Sequence, residues 1–269
     1  MVSLGYESIQ FSPKFDPDGP DLPRQIRAAK SAGFEWIAFD RHSLAAAART
    51  SGGLAAVADC CVEVGMPCRE IQSLRVVADS RTTLSACETL CRQVALLRPA
   101  VVPLIFFVDP TDQQLAIVRS AIAMLVEAHP TVRFGIEFSP LFPVENLGAA
   151  RSVAARLGLP GVGAVVDTWH VFNGTTTWKD LEEIPVEDIA LIQFNDHGPL
   201  NGTDIHVAKN HRLLPGEGSF PLREFVDLMR NRGFDGMVGV EIVSEELRQV
   251  SPEEFARRSY DAAVAMWGC

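Results

Sequence analysis

A closed (β/α)8 barrel, built as one domain over residues 1–269, is the fold class that this sequence predicts. Three observations point there. Short apolar or aromatic segments alternate with longer stretches of helical spacing, eight times in strict order. Most of the short segments are near-continuous apolar runs, as strands covered on both faces must be. The long polar, Gly- and Pro-rich connections follow strands, whereas the turns that precede strands are tight, an asymmetry that separates the functional end of such a barrel from its structural end.

The strand candidates are LGYESIQF (4–11), EWIAFD (35–40), MPCREIQSL (66–74), AVVPLIFF (100–107), VRFGIEF (132–138), VGAVVD (162–167), IALIQFN (189–195) and MVGVEIV (237–243). Helical spacing covers 22–32, 43–64, 79–97, 111–129, 143–157, 177–183, 221–232 and 252–266. AGFEWI at 32–37 and RGFDGMVGVEI at 232–242 read as a helix stopped by a left-handed Gly, a short loop, then a strand. A doubly wound open sheet would place a glycine-rich phosphate turn after the first strand, and FSPKFDPDGPD carries no GxGxxG. The segment after the seventh strand, NDHGPLNGTDIHVAKNHRLLPGEGSF, is roughly 26 residues long and reads as a substrate-covering loop. Ser219 at its end, followed by Pro221, reads as the cap and first turn of the seventh barrel helix.

Composition narrows the partners. A net charge of −10 offers no basic footprint for a nucleic acid backbone. No apolar stretch reaches the roughly 18 residues of a membrane span. The opening MVSLGYESIQF has no basic segment ahead of an apolar one, so it does not read as a secretion signal. Six cysteines, Cys60, Cys61, Cys68, Cys87, Cys91 and Cys269, form no CxxC pair, and buried reduced thiols in a cytoplasmic protein are the expectation. A homo-oligomer stays open.

The chemistry lies where polar residues interrupt apolar strands. Glu137 follows FGI, Asp167 follows AVV, Gln193 follows ALI and Glu241 follows VGV, each at the C-terminal end of its strand. Carboxylates withdrawn together from water repel one another unless a cation relieves them or their pKa values rise. Three carboxylates and an amide oxygen suit one hard divalent ion, Mn²⁺, Mg²⁺ or Co²⁺, better than a zinc site of sulfur and imidazole. Such an ion acts as a Lewis acid on a carbonyl and lowers the barrier to removing the neighbouring proton. Asp196 is placed to hold a ligand or a loop amide. Arg69 and Glu70, in CREIQ, are weaker candidates for the mouth, and Phe11 and Trp169 for an apolar wall. His197, His206 and His211 share the long loop.

GIEF, VVDTWH, LIQFND, LLPGEGSFPL and GFDGMVGVEI resemble, in order and spacing, the xylose-isomerase-like TIM barrels of the sugar phosphate isomerase and epimerase type. The resemblance covers essentially the whole chain and is most specific from about residue 132 to 245. It implies that Glu137, Asp167 and Glu241 bind metal, with Gln193 standing where ketose epimerases of the family usually have His. Gln there resembles some 3-dehydroshikimate dehydratases. The resemblance further implies that Glu137 and Glu241 exchange the substrate proton and that His170 sits beside the metal as a catalytic or substrate-binding group. It also implies that Arg212 faces substrate oxygens; Asp196 and Glu70 join it as substrate-binding candidates from their own positions, the first three residues after Gln193 and the second within the third strand. The implied activity is a metal-dependent isomerisation or epimerisation of a polyhydroxylated ketone or cyclic ketone through an enediolate. Dehydration at the same site is the alternative, and a non-catalytic binding protein the third.

Overall fold

The computed structural model describes residues 1–268, and Cys269 lies outside the described residues. Nine strands run in the order β3-β2-β1-β9-β8-β7-β6-β5-β4, and a further pairing of β3 with β5 closes the order on itself. They are β1 (Ser3–Glu7), β2 (Trp36–Phe39), β3 (Cys68–Ile71), β4 (Leu74–Val76), β5 (Val101–Phe106), β6 (Arg133–Glu137), β7 (Val162–Asp167), β8 (Ile189–Gln193) and β9 (Met237–Val240). Both β3 and β4 pair in parallel with β5, so the segment expected as one third strand is a single barrel strand interrupted at residues 72 and 73. The architecture is the closed eight-stranded parallel barrel with flanking helices.

The helices are α1 (Leu22–Ala32), α2 (Arg41–Ala47), α3 (Gly53–Val64), α4 (Ser80–Leu97), α5 (Asp112–Ala128), α6 (Leu147–Leu157), α7 (Thr168–Phe172), α8 (Trp178–Glu183), α9 (Ile205–Ala208), α10 (Leu222–Asn231) and α11 (Pro252–Trp267). Their starts obey local chemistry: Asp21, Asp79, Thr111, Asn146 and Ser251 each accept a backbone N–H of the first turn. Thr177 and Asp180 form a reciprocal capping box on α8. The helix expected over 43–64 is two helices, because the chain turns at Gly52 and Gly53, the latter at φ +57°. The expected Ser cap of α10 is absent. Pro221 occupies the cap position, and Ser219 instead donates its hydroxyl to His197 O. Gly33 and Gly233 take the left-handed conformation expected of them.

Two compact units divide the chain, one of residues 1–68 with 193 onward, the other of residues 69–192. In the first, β1 pairs with both β2 and β9. The indole of Trp36 lies flat over Gly5, where an added Cβ would stand 2.2 Å from the ring. Tyr6, Phe11, Phe34, Phe255 and Tyr260 pack edge to face, which places Phe11 in the core rather than against substrate. In the second unit, β5, β6 and β7 pair in continuous parallel register. Gly163 of β7 sits against a backbone carbonyl, that of Asp188, 2.1 Å from where a Cβ would be. Among the described residues, no helix is long and apolar enough to cross a membrane.

Cys60, Cys61, Cys68 and Cys87 are buried and Cys91 is half-buried. Burial pushes Cys61 up to about 12 and Cys87 up to about 11, so both stay protonated and poorly nucleophilic near neutral pH. Iodoacetamide treatment of the native protein read by mass spectrometry is expected to spare Cys61 and Cys87 until urea unfolds the chain, with Cys91 labelled first. Gly163→Ala is expected to lower stability by about 2 kcal/mol or more in urea unfolding, because a backbone carbonyl must move to admit the methyl group. A cost near zero would show that β7 and residue 188 are not packed this tightly.

Candidate functional site

In the unit of residues 69–192, the ends of β6 and β7 carry Glu137 and Asp167. Both are buried, Asp167 completely. Asp167 is also the N-cap of α7 and accepts the Trp169 N–H at 2.8 Å. That turn brings His170 back over the strand ends, where its Nε2 stands 3.4 Å from Asp167 Oδ2 and 3.6 Å from Glu137 Oε1. The DTWH spacing therefore does geometric work: one helical turn after the capping Asp returns the imidazole to both carboxylates. Trp169 is buried and meets the imidazole edge-on, so it acts as packing for His170. His170 Nδ1 is buried and makes no hydrogen bond among the described residues.

Glu70 is fully buried in β3, whereas its neighbour Arg69 is exposed. Strand alternation puts the two on opposite faces, which corrects the expectation that both turn the same way.

In the unit holding residues 193 onward, Gln193 ends β8 and is fully buried, and Glu241 follows β9. Arg212 donates to Glu241 Oε2 at 2.7 Å and to Glu241 O at 3.3 Å. Both side chains are nine-tenths buried, so this is an ion pair with little screening by water. Backbone pairing explains how a long loop delivers an arginine there. Arg212 N donates to Val243 O, and Leu213 and Asp196 exchange backbone hydrogen bonds. Residues 211–213 are thus stitched between the extensions of β8 and β9.

Asp196 accepts four backbone N–H groups: His197 at 2.8 Å, Gly216 at 2.9 Å, Gly218 at 3.0 Å and Phe220 at 3.1 Å. The PGEG glycines follow from that role. Gly216 has φ +91°, and a Cβ on Gly218 would lie 2.2 Å from Asp196 Oδ1. His197 is buried, stacks on Phe220, and turns its ring nitrogens to the carbonyls of Gly198 and Ala208. His206 is exposed on α9, and His211 contacts Glu246 at 3.1 Å.

Two further buried polar groups belong to this account, and of them only Asp40 had a readable signal. Asp40 directly follows β2 in EWIAFD, much as Glu137 ends β6. It accepts from Ser8 and Ser12 hydroxyls at 3.1 and 2.8 Å, from the backbone of His42 and Ser43, and from the Ser43 hydroxyl. Gln10 pairs its amide with both backbone groups of Ser244, donating at 3.0 Å and accepting at 2.9 Å. Nothing in the spacing of SIQF announces that contact. Among the described residues, no group of three or more His, Cys, Asp or Glu side chains is arranged to hold a metal ion; the carboxylates of Glu137 and Asp167 are turned towards His170, and that of Glu241 towards Arg212.

An inosose isomerase of Halalkalibacterium halodurans is 27% identical over 179 residues, 63% of this chain and 62% of that protein. The match therefore spans under two thirds of the relative's length. A crystal structure of the IOLI protein with a bound zinc atom superposes with a TM-score of 0.85 at 15% identity, covering 99% of this chain and 98% of that one. The probable 3-DHS dehydratase AsbF of Bacillus anthracis superposes with a TM-score of 0.77 at 12% identity, over 98% of this chain and 99% of that one. The two solved structures share this chain's fold, and the Xylose isomerase-like TIM barrel model matches residues 1–264. With nearly every residue covered and the barrel order present in the strands, the chain belongs to the xylose isomerase-like TIM barrel family.

Proposed function

We propose that this protein is a divalent-metal-dependent isomerase or epimerase of a small polyhydroxylated cyclic ketone of the inosose type. The observation that carries the reading is the series of buried oxygen donors on consecutive parallel strands: Glu137 ends β6, Asp167 ends β7, Gln193 ends β8 and Glu241 follows β9. Active sites of such barrels lie at that end of the strands. The inosose isomerase relative supports the substrate class.

The donor set fits a hard cation, being three carboxylates and one amide withdrawn from water. Mn²⁺, Mg²⁺ and Co²⁺ suit these oxygens, and the zinc of the IOLI protein structure adds a further divalent identity to test. When bound, the ion would supply Lewis-acid polarisation of a substrate carbonyl, which would acidify the adjacent C–H. Glu137 and Glu241 take and return that proton, each from its own strand. His170 orients Glu137 and Asp167 through Nε2 and offers Nδ1 to a substrate hydroxyl. Arg212 holds the Glu241 carboxylate in place, and its guanidinium faces substrate oxygens. Gln193 supports a second reading, dehydration, because a neutral amide stands where the resembling epimerases carry His.

Incubation in D₂O with ketoses, inososes and 3-dehydroshikimate separates these outcomes. Deuterium uptake at the carbon beside the carbonyl, without loss of water, is expected for an inosose. An enone or aromatic product would replace isomerisation by dehydration, and neither product with any substrate would sink both. Glu137→Gln and Glu241→Gln are each expected to reduce metal stoichiometry and to slow turnover about 10²- to 10⁴-fold. Unchanged metal content and rate in both variants would refute the ligand set. Gln193→His is expected to keep the metal while altering rate or substrate preference, read by metal analysis beside steady-state kinetics.

A further inference from the structure

The buried polar groups outside the ligand set divide into those that hold only their own neighbourhood, such as Asp40, and one that reaches into the catalytic machinery through the chain. Asp196 is 1% exposed and lies three residues beyond Gln193. Its two oxygens collect amides from residues 197, 216, 218 and 220, which turns 196–220 into a ring closed on one carboxylate. Its backbone meanwhile pairs with Leu213 in both directions. Arg212, the residue before Leu213, is thereby held on the side where its guanidinium meets Glu241.

We propose that Asp196 is a positioning residue, acting on the reaction through the backbone of residues 213–220 and through Arg212, and touching neither substrate nor cation. Four N–H donors saturate a carboxylate, since each oxygen accepts two. The amides of the PGEG turn would otherwise form a concave anion site of the kind that binds phosphate. Here the protein fills that cradle with its own side chain. A phosphorylated substrate therefore gains nothing from this glycine-rich turn, and the turn's purpose is to fix Arg212. The catalytic part of the inference rests on the proposed role of Arg212 at the substrate; the structural part does not.

The test has two arms. Hydrogen exchange of peptides spanning residues 213–220 is compared in the wild type, Asp196→Ala and Asp196→Asn. Losing charge-assisted hydrogen bonds is expected to speed exchange there by about tenfold or more in the Ala variant and less in the Asn variant, with formate slowing it again by occupying the vacated cradle. If the Ala variant does not fold, the Asn variant carries this arm. Exchange indistinguishable from wild type would overturn the clamp, whatever the protein's reaction proves to be. The second arm is a double-mutant cycle with Arg212→Met on inosose turnover. Asp196→Ala is expected to lower kcat/KM about tenfold or more alone and to cost little further once Arg212 is gone. Fully additive losses would overturn the route through Arg212, as would loss of metal stoichiometry in Asp196→Asn, which would make Asp196 part of the cation site.

Discussion

A carboxylate taken out of water must find either a cation or a set of N–H and O–H donors, and this chain buries Glu7, Asp40, Glu70, Glu137, Asp167, Asp196 and Glu241. Much of the local structure at the ends of the strands is the answer to that demand. Asp40 recruits three serines and two amides. Asp196 recruits four amides and shapes a loop in doing so. Asp167 starts a helix whose third residue brings an imidazole back to it. Glu241 is met by a guanidinium carried in on a stitched segment. The same residue type thus serves two ends. Where donors are plentiful the carboxylate is structural, and where a titratable or charged partner faces it the carboxylate is chemically poised.

The strands were legible because they had to be apolar on both faces, and the polar residue ending each stood out against that background. VRFGIEF and VGAVVD are read almost to the residue as Arg133–Glu137 and Val162–Asp167. The break between Ile71 and Leu74 was hidden, since CREIQSL keeps strand-like composition through an interruption that only pairing with β5 reveals. The division of 43–64 was likewise hidden by an Ala-rich run, although Gly52 and Gly53 marked the place. Asp40 carries the same signal as Glu137, but a lone acid after a strand also reads as a helix cap, which it is. Gln10 gave no signal, for its partner is the backbone of Ser244, 234 residues away.

The loop after β8 illustrates why length misleads. By residue count it is a flexible cover, yet two backbone bridges, an ionic centre and a histidine facing two carbonyls tie it down. The turn at Asn201 and Gly202, both at positive φ, stands apart from these attachments. The segment is accordingly better described as a fixed arm for Arg212.

The pairing of β1 with β9 sets Ser3 beside Met237 and Tyr6 beside Val240. A ribosome therefore releases the first strand long before the strand that completes its second edge exists, while residues 69–192 form a contiguous unit that meets its own strands early. Until the last segment emerges, β1 presents an unsatisfied edge of apolar sequence to whatever is nearby. The barrel's closure thus makes the newly made chain's exposure to aggregation a matter of translation speed and chaperone protection, and the burden falls on its N-terminal strand.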